Sequence, residues 1–399
     1  MNIAVAQSGG PTAAINASLA GIFEEAIKNP AIETVYGALN GIEGIIKQNL
    51  VNLNEIIKDE YDLHLVKSTP ATLLGSCRYK LKNAESNDTD YIKITECFKK
   101  YNIGAFLYIG GNDSMDTVAK LSKYTADNGI PVKIIGIPKT IDNDLCFTDH
   151  TPGFGSAAKY LATTMQEIVR DSSVYDLKSV TIVEIMGRHA GWLTASSTLL
   201  HLNGETAPHL IYLPEGKFTL DKFLSDVKNQ LEKRNSVIVA VSEGITVDDG
   251  AYRSGKTDIY GHAYLSGIGK LLENYVTEKI GCKVRSIELN VMQRCSSHLA
   301  SKTDIDEAAK VGEYGLKAAI SGKTGIMATI NRVSDNPYKI EIGSVEAKLV
   351  ANMEKKFPKE WICDDDTNVT EDAIKYFLPL IQGEIITETV NGLPLHFVI

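Results

Sequence analysis

Short apolar runs recur along this chain, and each stops abruptly in glycines, carboxylates or arginines. Ile3 to Ala6 ends at Ser8-Gly9-Gly10-Pro11, and the apolar spacing from Ile15 to Phe23 then predicts an amphipathic helix. Strand, glycine turn and helix in that order open a doubly wound α/β unit. Ala105 to Ile109 runs likewise into Gly110-Gly111-Asn112-Asp113-Ser114 and a helical stretch through Val118 and Leu121. Val132 to Ile137 ends at Pro138-Lys139-Thr140-Ile141-Asp142-Asn143-Asp144. Val180 to Ile185 ends at Met186-Gly187-Arg188, and Val237 to Val241 at Ser242-Glu243-Gly244.

Open parallel sheets bind ligands outside the carboxyl ends of their strands. A row of polar strand ends therefore predicts a site. At 399 residues the chain is long for one core. The expected fold class is α/β: two Rossmann-like domains with mainly parallel sheets and the active site in the cleft between them. The junction is expected near Thr151 to Gly155 and the return near Arg294. That gives one domain of residues 1–153 plus about 290–340, and another of 154–289 plus about 341–399. No solenoid-length repeat occurs. The tail, with Asp364-Asp365-Asp366, reads as a solvated loop before a last helix and is assigned no chemistry.

Composition narrows the partners. A formal net charge of −9 disfavours nucleic acid, whose binders carry a surplus of Lys and Arg, and leaves a small anionic ligand open. The six cysteines are scattered without a CxxC pair, which fits reduced thiols better than a disulfide framework or a zinc site. The opening MNIAVAQSGG lacks a signal-peptide pattern, and no apolar run approaches the roughly 20 residues of a membrane helix. The expectation is a cytoplasmic protein with no membrane partner.

Three kinds of feature carry candidate chemistry. Ser8 to Thr12 sits between a strand and a helix N-terminus, where backbone N–H groups and the helix dipole favour a phosphate, although a tight turn alone accounts for one such loop. Gly110 to Ser114 and Thr140 to Asp144 bring carboxylates and amides to neighbouring strand ends. Asp and Asn are common in turns, but two such loops together point to a metal–phosphate site, with one carboxylate free to act as base. Arg78, Arg188, Arg285 and Arg294 are candidate phosphate clamps, because guanidinium binds oxygens in pairs. Gly250 to Thr257 matches GxxxxGK[ST] literally, but Asp248-Asp249 precede it where a strand is required, so it reads as a chance match in a flexible insertion.

Assembled in order, SGGPTAAIN (8–16), GSCR (75–78), GGNDS (110–114), PKTIDND (138–144), MGR (186–188), SEG (242–244) and the pair Arg285 and Arg294 make the chain resemble the phosphofructokinase family from Ile3 to about Thr329. The resemblance implies that Asp142 is the base for the sugar 1-hydroxyl and that Asp144, with Asn112 and Asp113, serves Mg²⁺. It implies fructose 6-phosphate contacts from Thr140, Asp142, Met186, Gly187, Arg188, Glu243, Arg285 and Arg294. The donor side falls to Gly9, Gly10, Arg78, Gly111, Asp113, Ser114 and Lys139, so residues 1–153 belong to the donor domain.

Asp113 and Lys139 match the family's pyrophosphate-dependent members, where ATP-dependent ones usually carry glycine. Both are counted, with Asp142, among the catalytic residues the resemblance implies. An aspartate there would repel a nucleotide's α-phosphate, since like charges in a partly dry site are costly. The implied reaction is reversible transfer from pyrophosphate to fructose 6-phosphate, in a homodimer or homotetramer. Asn112, Ser179 and Val291 depart from residues common in the family. They invite one alternative, a non-catalytic sugar-phosphate sensor; another, an ATP-dependent kinase, would require Asp113 to turn away from the donor and an adenine pocket nearby.

Overall fold

The computed structural model describes residues 1–247 and 267–399; the GxxxxGK[ST] match at Gly250 to Thr257 lies outside the described residues. Apart from a short hairpin of Thr389–Val390 and Leu393–Pro394, the described strands are β1 (Asn2–Gln7), β2 (Val35–Ala38), β3 (Leu50–Asn52), β4 (Ile103–Gly110), β5 (Lys133–Pro138), β6 (Ser179–Ile185), β7 (Leu210–Tyr212), β8 (Ser236–Ser242), β9 (Lys283–Glu288), β10 (Ile326–Asp335) and β11 (Tyr338–Glu346). Among the described residues they form a seven-stranded sheet, β11-β10-β5-β4-β1-β2-β3, and a four-stranded sheet, β7-β8-β6-β9. The second sheet is wholly parallel, and the first is parallel except at its edge pairs β2–β3 and β10–β11. The α/β class with mainly parallel sheets is therefore the architecture.

Central strands read as continuous apolar runs because helices cover both faces. Along β1, Ile3 and Val5 pack into one core while Ala4 and Ala6 pack into another. In β4, Leu107 and Ile109 join the first core, and Phe106 and Tyr108 the second. The chain leaves β1 for β2 on one side and returns as β4 on the other, which makes β1/β4 a switch point in strand order. A crevice opens at such a point. There Ser8 N donates to Ile109 O at 2.9 Å, and Lys139 N donates to Gly110 O at 3.0 Å, so the loops after β1, β4 and β5 stay in step.

The chain passes to the second sheet through the helix Phe154–Ser172. Asp304, buried in the helix Lys302–Ile320, accepts from Gly153 N at 2.8 Å and from Ser156 N at 3.0 Å. It satisfies N–H groups that a helix start leaves without partners. The C-terminal segment then packs Phe357, Tyr376 and Phe377 against Trp192 and Phe154. No described helix is long and apolar enough to cross a membrane.

Behind the strand ends, His150 is buried between two carboxylates, with Nδ1 2.7 Å from Asp149 and Nε2 2.6 Å from Glu307. Burial alone would depress its pKa, but the hydrogen bonds to Asp149 and Glu307 outweigh it and push it up to about 8. A pKa raised above the unfolded value stabilises the fold fully below pH ~6.5, and that contribution is lost as pH rises through about 8. The contribution is about 2 kcal/mol. Unfolding midpoints measured from pH 6 to pH 9 are expected to fall for the natural chain, and His150→Gln is expected to flatten that slope.

Candidate active site

Loops from both sheets meet in a cleft of about 1100 Å³. Its walls include Gly9, Gly10, Arg78, Gly111, Asn112, Asp113, Ser114, Lys139, Thr140, Asp142, Asp144, Met186, Arg188, Glu243 and Arg294. Most of the candidate residues from distant motifs thus share one space.

On the first sheet's side the backbone turns sharply after β1. Gly9 has φ +76°, and a Cβ there would lie 3.3 Å from Lys139 Nζ, so glycine leaves room for the ammonium. Gly9 N donates to Cys77 O at 3.2 Å, and Ser76 Oγ donates to Gly9 O at 2.7 Å, which fixes the Arg78 loop beside the glycine loop. Lys139 is 3% exposed, and its Nζ donates to Gly10 O at 2.7 Å. Burial lowers its pKa to about 8, against the opposing pull of Asp142, while Arg294 adds to the lowering.

Asp142 N donates to Thr140 Oγ1 at 3.1 Å, a local turn that holds the carboxylate at the strand end. Burial and then the neighbouring Glu243 push the Asp142 carboxyl above its ordinary range, with Lys139, Arg188 and Arg294 pulling the other way. Asp144 is raised as well, by burial and then by Asp142. A desolvated carboxylate pair suits a group poised to accept a proton. It also suits a hard cation, which takes oxygen ligands and relieves such repulsion.

The second sheet contributes through tightly held turns. Gly187 has φ +132°, and a Cβ there would lie 2.7 Å from Ala190 O, so the turn that presents Arg188 requires glycine. Ser242 Oγ donates to Gly187 O at 2.7 Å, and Glu243 N donates to Ile185 O at 2.8 Å. Met186 N donates to Gln293 Oε1 at 3.1 Å, which ties the segment of Arg294 to the same strand end.

Other candidates stand differently in the fold. Asn112 was expected at the metal, but its side chain donates to Met353 O and accepts from Asn352 N at 2.6 Å. Its amide holds the loop at Asn352 and Met353 while the residue still lines the cleft. Arg285, expected among the sugar-phosphate contacts, does not line the cleft within this chain. It sits on the edge strand β9 with its side chain 50% exposed and bonds Asp171 at 3.2 Å. Gly187 shapes the wall without lining it. Asp113 is open, its side chain 70% exposed and 3.9 Å from Lys80 Nζ, in the first turn of the helix Asn112–Asp127. That position suits a carboxylate because of the helix dipole alone.

The cleft also holds residues that the sequence did not single out: Lys80, Asn352, Glu354 and Lys356. Lys356 Nζ donates to His189 O, so this segment reaches the second sheet's side of the cleft. Lys80 follows the GSCR motif by two positions, a signal that was present. Glu354-Lys355-Lys356 resembles any solvated charge run, and only the fold brings it here.

A phosphofructokinase family model matches residues 2–317. A pyrophosphate–fructose 6-phosphate 1-phosphotransferase of Halomonas elongata is 39% identical over 98% of this chain and 94% of its own length. One of the same name from Xanthomonas campestris is 40% identical over 98% of this chain and 94% of its length. The crystal structure of a pyrophosphate-dependent phosphofructokinase from Marinobacter aquaeolei superposes with a TM-score of 0.88 at 37% identity, covering 99% of this chain and 95% of that one. By its motifs, its fold and these near-full-length likenesses, the chain belongs to the phosphofructokinase family.

Proposed function

We propose that this cleft moves a phosphoryl group from inorganic pyrophosphate to the 1-hydroxyl of fructose 6-phosphate, giving fructose 1,6-bisphosphate and orthophosphate, reversibly. The observation that carries the donor is Lys139, a buried ammonium held against the glycine loop beside Asp142. Pyrophosphate offers no adenosine to hold, so its binding must come from charge, and a desolvated cation supplies that. The names of the 39–40% identical relatives support the same donor.

In the forward direction Asp142 accepts the proton of the 1-hydroxyl. The sugar O1 forms its bond to one phosphorus of pyrophosphate as the bridging P–O bond breaks, and orthophosphate leaves with the bond's electron pair. Lys139 stabilises negative charge on the transferring and leaving groups. Asp144, with Asp113, would hold Mg²⁺, which supplies charge neutralisation of the pyrophosphate oxygens when bound. Arg188, Glu243 and Arg294 orient the sugar phosphate, Arg78 and the glycine loop the donor.

Arg285 points to a second subunit. It lies exposed on the edge strand of the smaller sheet, more accessible than Arg188 and Arg294, where a second copy of the chain would let it meet a sugar phosphate. Arg285→Ala is expected to raise KM for fructose 6-phosphate by about tenfold with little change in kcat, because one charge-assisted hydrogen bond is lost from binding alone. Steady-state kinetics checks this.

The reaction itself is tested by following phosphorus resonances in a mixture of protein, Mg²⁺, pyrophosphate and fructose 6-phosphate. Pyrophosphate is expected to disappear as orthophosphate and a second sugar-phosphate signal rise together, with the reverse on mixing the products. Pyrophosphate loss without a sugar bisphosphate would exclude the transfer.

A further inference from the structure

Between the two raised carboxylates sits a residue the proposed chemistry does not use. Asn143 is fully buried and adopts φ +53°, a left-handed conformation that turns the chain between Asp142 and Asp144. Asparagine often reaches this region by bonding its own neighbouring backbone. Here both ends of its amide go elsewhere. Nδ2 donates to the Tyr376 hydroxyl at 2.9 Å, and Oδ1 accepts from Lys355 Nζ at 3.4 Å.

Both partners come from the C-terminal segment, beyond the residues 2–317 that the family model matches. They grip more than one amide. Tyr376 Oη donates on to Asp149 O at 2.6 Å, while Lys355 Nζ donates to Asp149 O at 2.7 Å and to Thr148 O at 3.2 Å. Lys355 N donates to Asp144 O at 2.7 Å. The two holders are themselves immobilised. Lys355 Nζ lies 4.8 Å from the centre of the Trp192 ring, whose Nε1 donates to Lys355 O at 3.0 Å. Arg332 stacks 4.5 Å from the Tyr376 ring centre and donates to Tyr376 O at 3.1 Å. A buried polar group keeps its full worth only when every bond is made, so this network defines one geometry for the loop.

We infer that Tyr376 and Lys355 are positioning residues for the phosphoryl transfer: through Asn143 they fix the turn that aims Asp142 at the acceptor hydroxyl. Neither lines the cleft. Their effect runs through the angle of a neighbouring carboxylate, and catalysis is sensitive to displacements well under the length of a bond contact. The inference rests on the phosphotransferase reading for its kinetic arm and on the loop's own behaviour for the other.

Tyr376→Phe keeps the ring and its stacking and removes only the hydroxyl. It is expected to lower kcat about tenfold while both KM values stay within about twofold, since a misaimed base costs the transition state and not binding. Asn143→Gly tolerates the same φ, cuts the tether from the other end, and is expected to match it. In an Asp142→Asn background the Tyr376→Phe loss is expected to vanish, because there is no base left to aim. Hydrogen exchange at the amides of residues 141–145 is expected to quicken in both single variants while the β4 and β5 amides are unchanged. Equal fractional losses with and without Asp142, or loop exchange as slow as in the natural chain, would overturn the inference. A natural chain with no transfer activity would instead count against the phosphotransferase reading, and exchange would still decide the positioning.

Discussion

Asp142→Asn is expected to lower kcat by about 10²–10⁴-fold while fructose 6-phosphate still binds. The amide is nearly the same shape, so Thr140 Oγ1 still accepts from the backbone of residue 142 and the loop keeps its turn. What disappears is the capacity to take a proton. Burial and Glu243 hold the Asp142 carboxyl above its ordinary range, which brings its basicity nearer to the working pH than an exposed aspartate would be. A binding titration with fructose 6-phosphate alongside initial rates separates the two effects. A sensor without catalysis would show no rate to lose, and an unchanged rate would remove Asp142 from the role of base.

Lys139→Met is expected to cost about 10²–10³-fold in kcat, the scale of losing one preorganised electrostatic contact to the reacting phosphate. The methionine stem fills most of the same volume, so the buried channel beside Gly9 and Gly10 stays packed. The Gly10 carbonyl loses its donor, which a thermal midpoint measured in parallel will register separately. The natural enzyme carries a matching pH signature. Burial brings the Lys139 pKa down to about 8, so the ammonium is present below that pH and progressively lost above it. The kcat/KM for pyrophosphate is expected to decline as pH rises through about 8. The Met variant, having no proton there to lose, is expected to lack that limb of the profile.

The chain's central strands were legible because burial on both faces leaves a continuous apolar run, as in β4 and β8, with nothing polar until the strand ends. Edge elements were less so. β9 alternates Lys, Val, Arg, Ser, Ile and Glu, half-exposed throughout, and the β10–β11 hairpin is polar over much of its length. The site was readable wherever chemistry sits immediately after a buried strand, which covers Lys139, Asp142, Asp144, Arg188 and Glu243. It was unreadable where tertiary structure assigns the partner. Asn112 looks like a metal ligand in sequence, and only the return of the segment at Asn352 and Met353 shows its amide already engaged. Arg285 has the right type and spacing, but sequence alone does not show that within one chain it sits on an edge strand and bonds Asp171. Lys355 and Tyr376 sit more than 200 residues from the loop they hold, and no local pattern marks them.

The most direct test compares initial rates with fructose 6-phosphate and Mg²⁺ when either pyrophosphate or ATP is the donor at matched concentration. Turnover with pyrophosphate and none above background with ATP is the expected result, since the buried Lys139 suits a compact, highly charged donor and Asp113 opposes a nucleotide's α-phosphate. Faster turnover with ATP would contradict the roles given to those two residues, while leaving the fold and the family as they stand.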